Sequence, residues 1–310
     1  MTAATDPHID RLLSSLNVKA RSLLMTVWGD AIAPHGGTVW LGSLIDLAAD
    51  LGLNERLVRT SVFRLKQENL LTSVQKGRRS DYTLTPSGRH RVEEATRRIY
   101  NYQPEPWDGK WVFLFSERRS MSDEQKRLLG LELGWLGFGD LGAGIYAHPG
   151  ANTAAVSTLL QDLGLEPHVA ILSGEGLAPP EKTPQHILVQ KGWNLQQIEA
   201  GYTEFMDHFS GIGKALIAGH QPDARTCFLV RTLLVHGYRR ALLRDPMLPE
   251  RLLPQGWSGN RARLLFRDIY LLVWEQAEQH LLNILRTVDG DLPPASAEFH
   301  ARFGGLKQAQ

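Results

Sequence analysis

Between Gly52 and Leu84 the chain carries the pattern that most restricts its fold: a tight Gly52-Leu53-Asn54 turn between two helical stretches, followed at once by two short β-type runs around a glycine. Asn54 is a good N-cap and Glu55 suits the positive end of a helix dipole, so the spacing predicts a helix from Glu55 to about Asn69. Upstream, Leu23, Leu24, Val27 and Trp28 recur at helical spacing within a stretch from Arg21 to Ile32, which Pro34, Gly36 and Gly37 terminate. The short run Thr38 to Leu41 is β-branched and aromatic. Ser43 is placed to cap a second helix through Leu44, Leu47, Ala48 and Leu51. Beyond the third helix, Leu70–Val74 and Tyr82–Leu84 read as strands joined by Gln75-Lys76-Gly77-Arg78-Arg79-Ser80-Asp81, a hairpin with a basic, glycine-containing tip. Thr85-Pro86 opens a fourth helix to about Tyr100, with Pro86 where its missing N–H costs little. Helix, helix, helix, hairpin is the order of a winged helix-turn-helix, which we assign to residues 1–101.

Charge sharpens that assignment. The whole chain has a net charge of +1, yet residues 54–98 hold 11 Lys and Arg against 5 Asp and Glu. A localised basic surplus on a near-neutral chain is the footprint of a nucleic-acid-binding module joined to something else. At 100° per residue, Val58, Ser61, Val62, Leu65 and Asn69 share one face of the third helix, while Arg56, Arg59, Thr60, Phe63 and Gln67 share the other. The first set is suited to packing and the second to display. Guanidiniums can donate two parallel hydrogen bonds to guanine, and Thr or an apolar side chain can meet a thymine methyl. Arg64 and Lys66 flank that face, and Lys76, Arg78 and Arg79 sit at the hairpin tip. All of these are placed for phosphates or an adjacent minor groove. These nine residues (Arg56, Arg59, Thr60, Phe63, Arg64, Lys66, Lys76, Arg78 and Arg79) are the candidate DNA-binding set, with double-stranded DNA as the partner.

At 310 residues, two or three domains are expected. A stiff linker, Gln103-Pro104-Glu105-Pro106, closes the first module. Strands at Lys110–Phe115, Gly144–Ala147 and His168–Leu172 alternate with helices at Ser122–Leu136 and Thr153–Leu163, which predicts a ferredoxin-like middle domain over residues 107–178. A second Pro-rich joint, Ala178-Pro179-Pro180 to Pro184, leads into a mostly helical C-terminal domain over residues 185–310. Its strongest helices are Gln196–Ile212, Arg225–Leu243 and Arg261–Arg286, and the tail after Gly290 is weakly patterned. The expected fold class is therefore α+β multidomain, without internal repeats. Apolar residues make up 43% and charged residues 22%, which excludes disordered, collagen-like and coiled-coil classes. No apolar stretch is long enough to cross a bilayer and the start resembles no signal peptide. The lone Cys227 allows no internal disulfide and no Cys-based zinc site, so the expected location is the cytoplasm.

The run Gly137-Phe138-Gly139-Asp140-Leu141-Gly142 matches G-x-G-x-x-G, but a helix precedes it and a strand follows. That is the reverse of the dinucleotide-binding context, so these glycines are read as a helix-to-strand turn. Cys227 lies on an apolar helical stretch and is expected in the core. His236 has no nearby nucleophile or second ligand. Neither a carboxylate cluster nor metal-ligand spacing stands out, so no cofactor, metal or catalytic residue is expected.

Several segments resemble the PaaX family of bacterial repressors. They are Val58-Arg59-Thr60-Ser61-Val62-Phe63-Arg64-Leu65, Trp107-Asp108-Gly109-Lys110-Trp111, the run from Arg231 to Arg240 (RTLLVHGYRR), Arg244-Asp245-Pro246-Met247-Leu248-Pro249 and Leu252-Leu253-Pro254-Gln255-Gly256-Trp257. The resemblance spans nearly the whole chain, and its C-terminal signature is the specific part. It implies a winged-helix domain, a middle domain similar to the small CRISPR-associated nucleases and a helical C-terminal domain. It also implies a homodimer that represses phenylacetate-catabolism genes from an inverted-repeat operator and is released by phenylacetyl-CoA as effector. Where those nucleases carry an Asp at the end of their first strand, this chain has Phe115-Ser116-Glu117, which implies scaffold and no nuclease. A CoA thioester needs cations for its phosphates and an apolar pocket for its aryl group. Arg225, Arg231, His236, Tyr238, Arg239 and Arg240 are the candidate effector-binding residues. Arg239 and Arg240 are equally suited to ion pairs with Asp245 or Glu250 that only fix the fold. A repressor of the same family answering to a different aryl- or acyl-CoA, an enzyme with a targeting module, and a non-catalytic protein-interaction scaffold are the alternatives.

Overall fold

The computed structural model describes residues 12, 16, 18–101, 106–175 and 184–306. It is mixed α+β and divides into two compact units. Unit one is made of Met1–Tyr102, Tyr202–Leu242 and Gly259–Gln310, and unit two of Gln103–Gly201 and Leu243–Ser258. Packing thus cuts across sequence order: most of the C-terminal helical stretch packs with the N-terminal module.

In unit one, α1 (Ala20–Val27) runs on through a π turn at Trp28–Ile32. Then follow β1 (Thr38–Trp40), α2 (Leu41–Asp50), α3 (Glu55–Gln67), β2 (Leu71–Lys76), β3 (Arg79–Leu84) and α4 (Pro86–Tyr100). The strands form one antiparallel sheet in the order β1-β3-β2. Helix α1 packs against α3, with Leu23, Leu24, Val27, Val58, Val62 and Leu65 all buried. Two caps act as expected: the Asn54 side chain accepts from Leu57 N at 2.9 Å, and Thr85 Oγ1 accepts from Gly88 N at 3.0 Å. Ser43 does not cap. The helix starts at Leu41 with Trp40 at the cap position, three residues earlier, and the Ser43 hydroxyl instead bonds the Trp40 carbonyl and both backbone groups of Arg286. The hairpin tip is also shorter than the seven-residue loop expected. Lys76 pairs with Arg79, leaving only Gly77-Arg78 as the turn. Gly77 takes φ +62°, and glycine first is the pattern of the type II′ turn that matches strand twist.

Unit two contains β4 (Lys110–Ser116), α5 (Asp123–Trp135), β5 (Gly139–Gly142), β6 (Ile145–Pro149), α6 (Thr153–Asp162), β7 (Val169–Glu175) and α7 (Pro184–Gly192). The antiparallel sheet runs β5-β6-β4-β7, the split β-α-β-β-α-β arrangement expected for a ferredoxin-like domain. Val112, Leu114, Leu129, Leu133, Val156 and Leu160 form the core between one face of the sheet and helices α5 and α6. On the other face, Trp111 and Ala147 pack with Val189 and Trp193. The G-x-G-x-x-G run is not merely a turn, since Gly139 to Gly142 form strand β5. A Cβ on Gly139 would stand 2.8 Å from Gly192 Cα, and Trp193 Nε1 donates to Gly137 O at 3.0 Å. The glycine therefore lets the end of α7 lie directly on β5.

The remaining helices are α8 (Leu195–Ile217), α9 (Ala224–Leu242) and α10 (Ser258–Ile284), followed by the small pair β8 (Arg286–Thr287) and β9 (Gly290–Asp291) and by α11 (Ala297–His300). The tail expected to be weakly patterned is a strap along the N-terminal module. Val288 N donates to Asp81, Ser296 N to Pro34 O, and His35 Nδ1 lies 2.6 Å from Pro293 O. Among the described residues no helix is long and apolar enough to cross a membrane.

Candidate nucleic-acid interface

Four buried side chains, Val58, Ser61, Val62 and Leu65, fix the inner face of α3, which leaves Arg56, Arg59, Thr60, Phe63, Arg64, Lys66 and Gln67 exposed. Phe63 is 60% exposed, a large aromatic held in water between Thr60 and Arg64, and Leu57 in the first turn is 45% exposed. The cations sort by their commitments. Arg56, Arg64 and Arg78 make no hydrogen bond or ion pair among the described residues. Arg59 is tied to Glu55 one turn back, with Nε 2.7 Å from Oε1. Lys66 donates to Ser73 Oγ at 2.8 Å, which bridges α3 to the hairpin. Arg79, expected at the tip, lies on β3 with its guanidinium 4.7 Å from the Trp40 ring centre. Lys76 is paired with Asp289 of the strap, and that carboxylate raises the lysine's pKa. Exposed pairs of this kind are weakened by solvent screening, so an incoming phosphate can displace them.

Behind this surface stands a buried charge cluster centred on Asp30 in the π turn. Its carboxylate receives Arg231 Nε at 2.8 Å, Arg302 Nη1 at 2.8 Å, Tyr100 Oη at 2.7 Å and Tyr270 Oη at 3.1 Å. Burial by itself would raise the Asp30 pKa, but the two guanidiniums and the hydroxyls hold it below the ordinary carboxylate value. Arg231 also donates to Glu278 Oε2 at 2.6 Å, and Glu278 Oε1 lies 2.5 Å from His35 Nε2. The His35 ring thus faces two acceptors, the Pro293 carbonyl and the Glu278 carboxylate, and each contact calls for a shared proton. A second clamp sits at the end of α2, where Asp50 accepts from Arg225 Nε at 2.6 Å and pairs with His280 Nε2 at 2.7 Å. Aromatic rings surround the first cluster; the Arg302 guanidinium lies 4.0 Å from the Tyr100 ring centre. Sequence reasoning missed the acidic members, Asp30, Asp50 and Glu278, because each lies on a helix whose pattern alone did not show what it meets.

The six candidate effector residues are brought onto or beside α9, but not to one open site. Arg231 is 1% exposed and engaged by Asp30 and Glu278, and Arg225 by Asp50. Tyr238, pointing the same way as Arg231, stacks on Phe266 with ring centres 4.3 Å apart. His236 and Arg240 point nearly opposite. Thr26 Oγ1 donates to Ser22 O and therefore accepts from His236 Nδ1 at 3.1 Å. Burial, reinforced by Arg239 and Arg240, depresses the His236 pKa to about 3. Arg239 Nη2 donates to Ser22 O at 3.1 Å and Arg240 Nη1 to Leu16 O at 2.7 Å, rather than to the acids considered from sequence. Cys227 is buried as expected, and burial pushes its thiol up to about 11.

Comparison with known proteins gives the same outline. Family models match in three consecutive segments: PaaX-like protein over residues 19–88, PaaX protein central Cas2-like domain over 104–187, and PaaX-like protein C-terminal domain over 193–283. The transcriptional repressor PaaX of Escherichia coli (strain K12) is 34% identical over 309 residues, which cover 98% of this chain and 96% of that protein. A solved structure, the uncharacterized protein Rv0674 from Mycobacterium tuberculosis, is 22% identical and superposes with a TM-score of 0.55 over 85% of this chain and 98% of its own length, a likeness of fold alone. With all three segments matched and a relative aligned almost end to end, the chain belongs to the PaaX-like family.

Proposed function

We propose that this chain is a DNA-binding transcriptional repressor of phenylacetate-catabolism genes that acts as a homodimer on an inverted-repeat operator and is released by phenylacetyl-CoA. The family's curated relative is a transcriptional repressor, and the family is one of regulators rather than enzymes. The observation that carries the DNA reading is the outer face of α3. Arg56, Thr60, Phe63 and Gln67 form an exposed line along it with no side-chain partner among the described residues. That line is flanked by Arg64 and by Lys66, which bonds Ser73 of the hairpin.

We read α1 to β3 as a winged helix-turn-helix with α3 as the recognition helix and β2–β3 as the wing. Arg56, Thr60 and Phe63 then address base edges in the major groove, while Arg59, Arg64, Lys66, Lys76, Arg78 and Arg79 address the backbone or an adjacent minor groove. Two recognition helices in a dimer read half-sites one helical turn apart or a multiple of it. Release requires the effector to favour the DNA-free conformation, since equal affinity for both shifts nothing. The effector reading is supported by family membership. Of its candidate residues, Arg225, Arg231 and Tyr238 serve the packing of unit one.

Fluorescence anisotropy tests the proposal, with DNA upstream of the protein's own gene and of neighbouring phenylacetate genes titrated at fixed salt. Binding reversed by phenylacetyl-CoA, and not by phenylacetate or plain CoA, is the expected result. Binding without release would assign another acyl-CoA, and no binding to any such DNA would sink the repressor reading in favour of an interaction scaffold.

A further inference from the structure

Phe63 is the most exposed phenylalanine among the described residues, and it takes part in no ring contact with any of them. The fold does not call for it. Val58, Ser61, Val62 and Leu65 already fill the inner face of α3, and Phe63 stands on the opposite side. It shares that side with Arg56, Thr60 and Gln67, all four within about 60° of one another around the axis. What a phenyl ring can read in the major groove is narrow, because it offers no strong hydrogen-bond donor or acceptor. Guanine presents N7 and O6 there, adenine N7 and an amino group, cytosine an amino group, and thymine a C5 methyl beside O4. Laid on the first three, the ring strips water from a polar atom and returns no hydrogen bond, which is unfavourable. Laid on the thymine methyl, it covers carbon with carbon, and both surfaces leave water.

We infer that Phe63 is a specificity-determining residue that seats a thymine methyl, so that each half-site carries a thymine about three base pairs from a guanine taken by Arg56. The separation follows from the helix. Residues 56 and 63 lie roughly 10.5 Å apart along the axis at 1.5 Å per residue, against 3.4 Å for each base step. Arg56 makes no hydrogen bond or ion pair among the described residues, so its guanidinium is free to take guanine O6 and N7. The inference rests on the reading of α3 as the recognition helix, and it commits that reading to a chemical group. The feature recognised is a methyl rather than a base pair. Uracil at the same place therefore fails, although it pairs as thymine does, and 5-methylcytosine retains the contact. Thr60, one turn earlier on the same side, carries a methyl of its own, and variants at Phe63 separate the two residues.

The test starts from a fragment upstream of the protein's own gene that the full wild-type chain binds. Each thymine in it is replaced in turn by deoxyuridine, which deletes the C5 methyl and leaves the pairing edge intact. At one position of a half-site the replacement is expected to weaken binding about fourfold, the value of one buried methyl, and about sixteenfold when made in both half-sites. Cytosine and 5-methylcytosine placed there are expected to differ by the same factor. Phe63→Ala changes an exposed position, so its melting temperature is expected to match wild type, while it binds the thymine and uracil fragments equally. Phe63→Leu keeps an apolar side chain and is expected to retain part of the discrimination, which a structural role would not produce. The inference is overturned if no thymine in a bound fragment responds to loss of its methyl, or if Phe63→Ala discriminates as wild type does. In both of those outcomes the DNA reading stands. Absence of wild-type binding to any such fragment is the failure of the DNA reading itself, and it removes the inference with it.

Discussion

Asp30 illustrates how one residue can hold several elements at once. Its carboxylate neutralises Arg231 from α9 and Arg302 from the tail, and accepts hydroxyls from α4 and α10. Asp30→Ala leaves the buried Arg231 with Glu278 as its only carboxylate and the buried Arg302 with none among the described residues, and removing one partner from a buried ionic network costs about 3–5 kcal/mol. Urea denaturation of unit one should show a loss of that order. Acid acts on the same groups: the folded carboxyls of Asp30 and Glu278 titrate below their ordinary values. Their contribution is complete above the unfolded carboxylate range and is lost as pH falls through the depressed folded pKa values. His236 adds a term in a higher window. Buried neutral with a pKa of about 3, it binds a proton only when unfolded between pH 6.5 and 3. Stability should therefore fall as pH drops from 6.5, by at most about 1.4 kcal/mol per pH unit from this group. His236→Gln should flatten that part of the stability curve, and a variant curve parallel to wild type would show the imidazole to be inert.

Among the elements, α3 was the most legible and the tail the least. Asn54 as a cap, a buried face at 58, 61, 62 and 65 and exposed arginines are all local consequences of sequence, and the structure places α3 at Glu55–Gln67 against an expected Glu55 to Asn69. Helix α5 likewise carries its own start, a capping box between Ser122 and Gln125. Strand β5 was misread because its glycines suit a turn as well as a strand whose neighbour is a backbone, and only the approach of Gly192 decides between them. The cation commitments on α3 and the β2–β3 hairpin were also invisible, since Asp289 lies 213 residues from Lys76. Its local signal, Asp289-Gly290 as a hairpin dipeptide, was present in the sequence. Because Arg78 is uncommitted and Arg79 lies over Trp40, the two should differ as DNA contacts. Arg78→Ala should weaken binding to all sequences alike and lower the salt slope by about one, without altering stability. Arg79→Ala should also cost stability, about 0.5–1 kcal/mol for the exposed contact with Trp40. Melting curves beside salt titrations separate the two.

Across the whole molecule, the sequence divides into three segments while packing divides it into two units, and the strap after α10 is the reason. A chain cut before Arg286 retains every helix that the family signature covers, since that match ends at residue 283. It loses Arg302 from Asp30, the Asp81–Val288 bond and the cover over His35. Such a truncation should bind DNA poorly and expose amides in α1 and β3 to hydrogen exchange, and wild-type affinity in it would show the strap to be dispensable. The strap also sets a schedule during synthesis. Segments of a nascent protein ordinarily fold as they leave the ribosome, N-terminal parts first. Here the opening module waits, because Pro34, His35 and Asp30 take partners from residues 293–302. The N-terminal module is completed only after residue 302 has been translated, so a nascent chain stalled before that point carries α3 without the support that holds it in position.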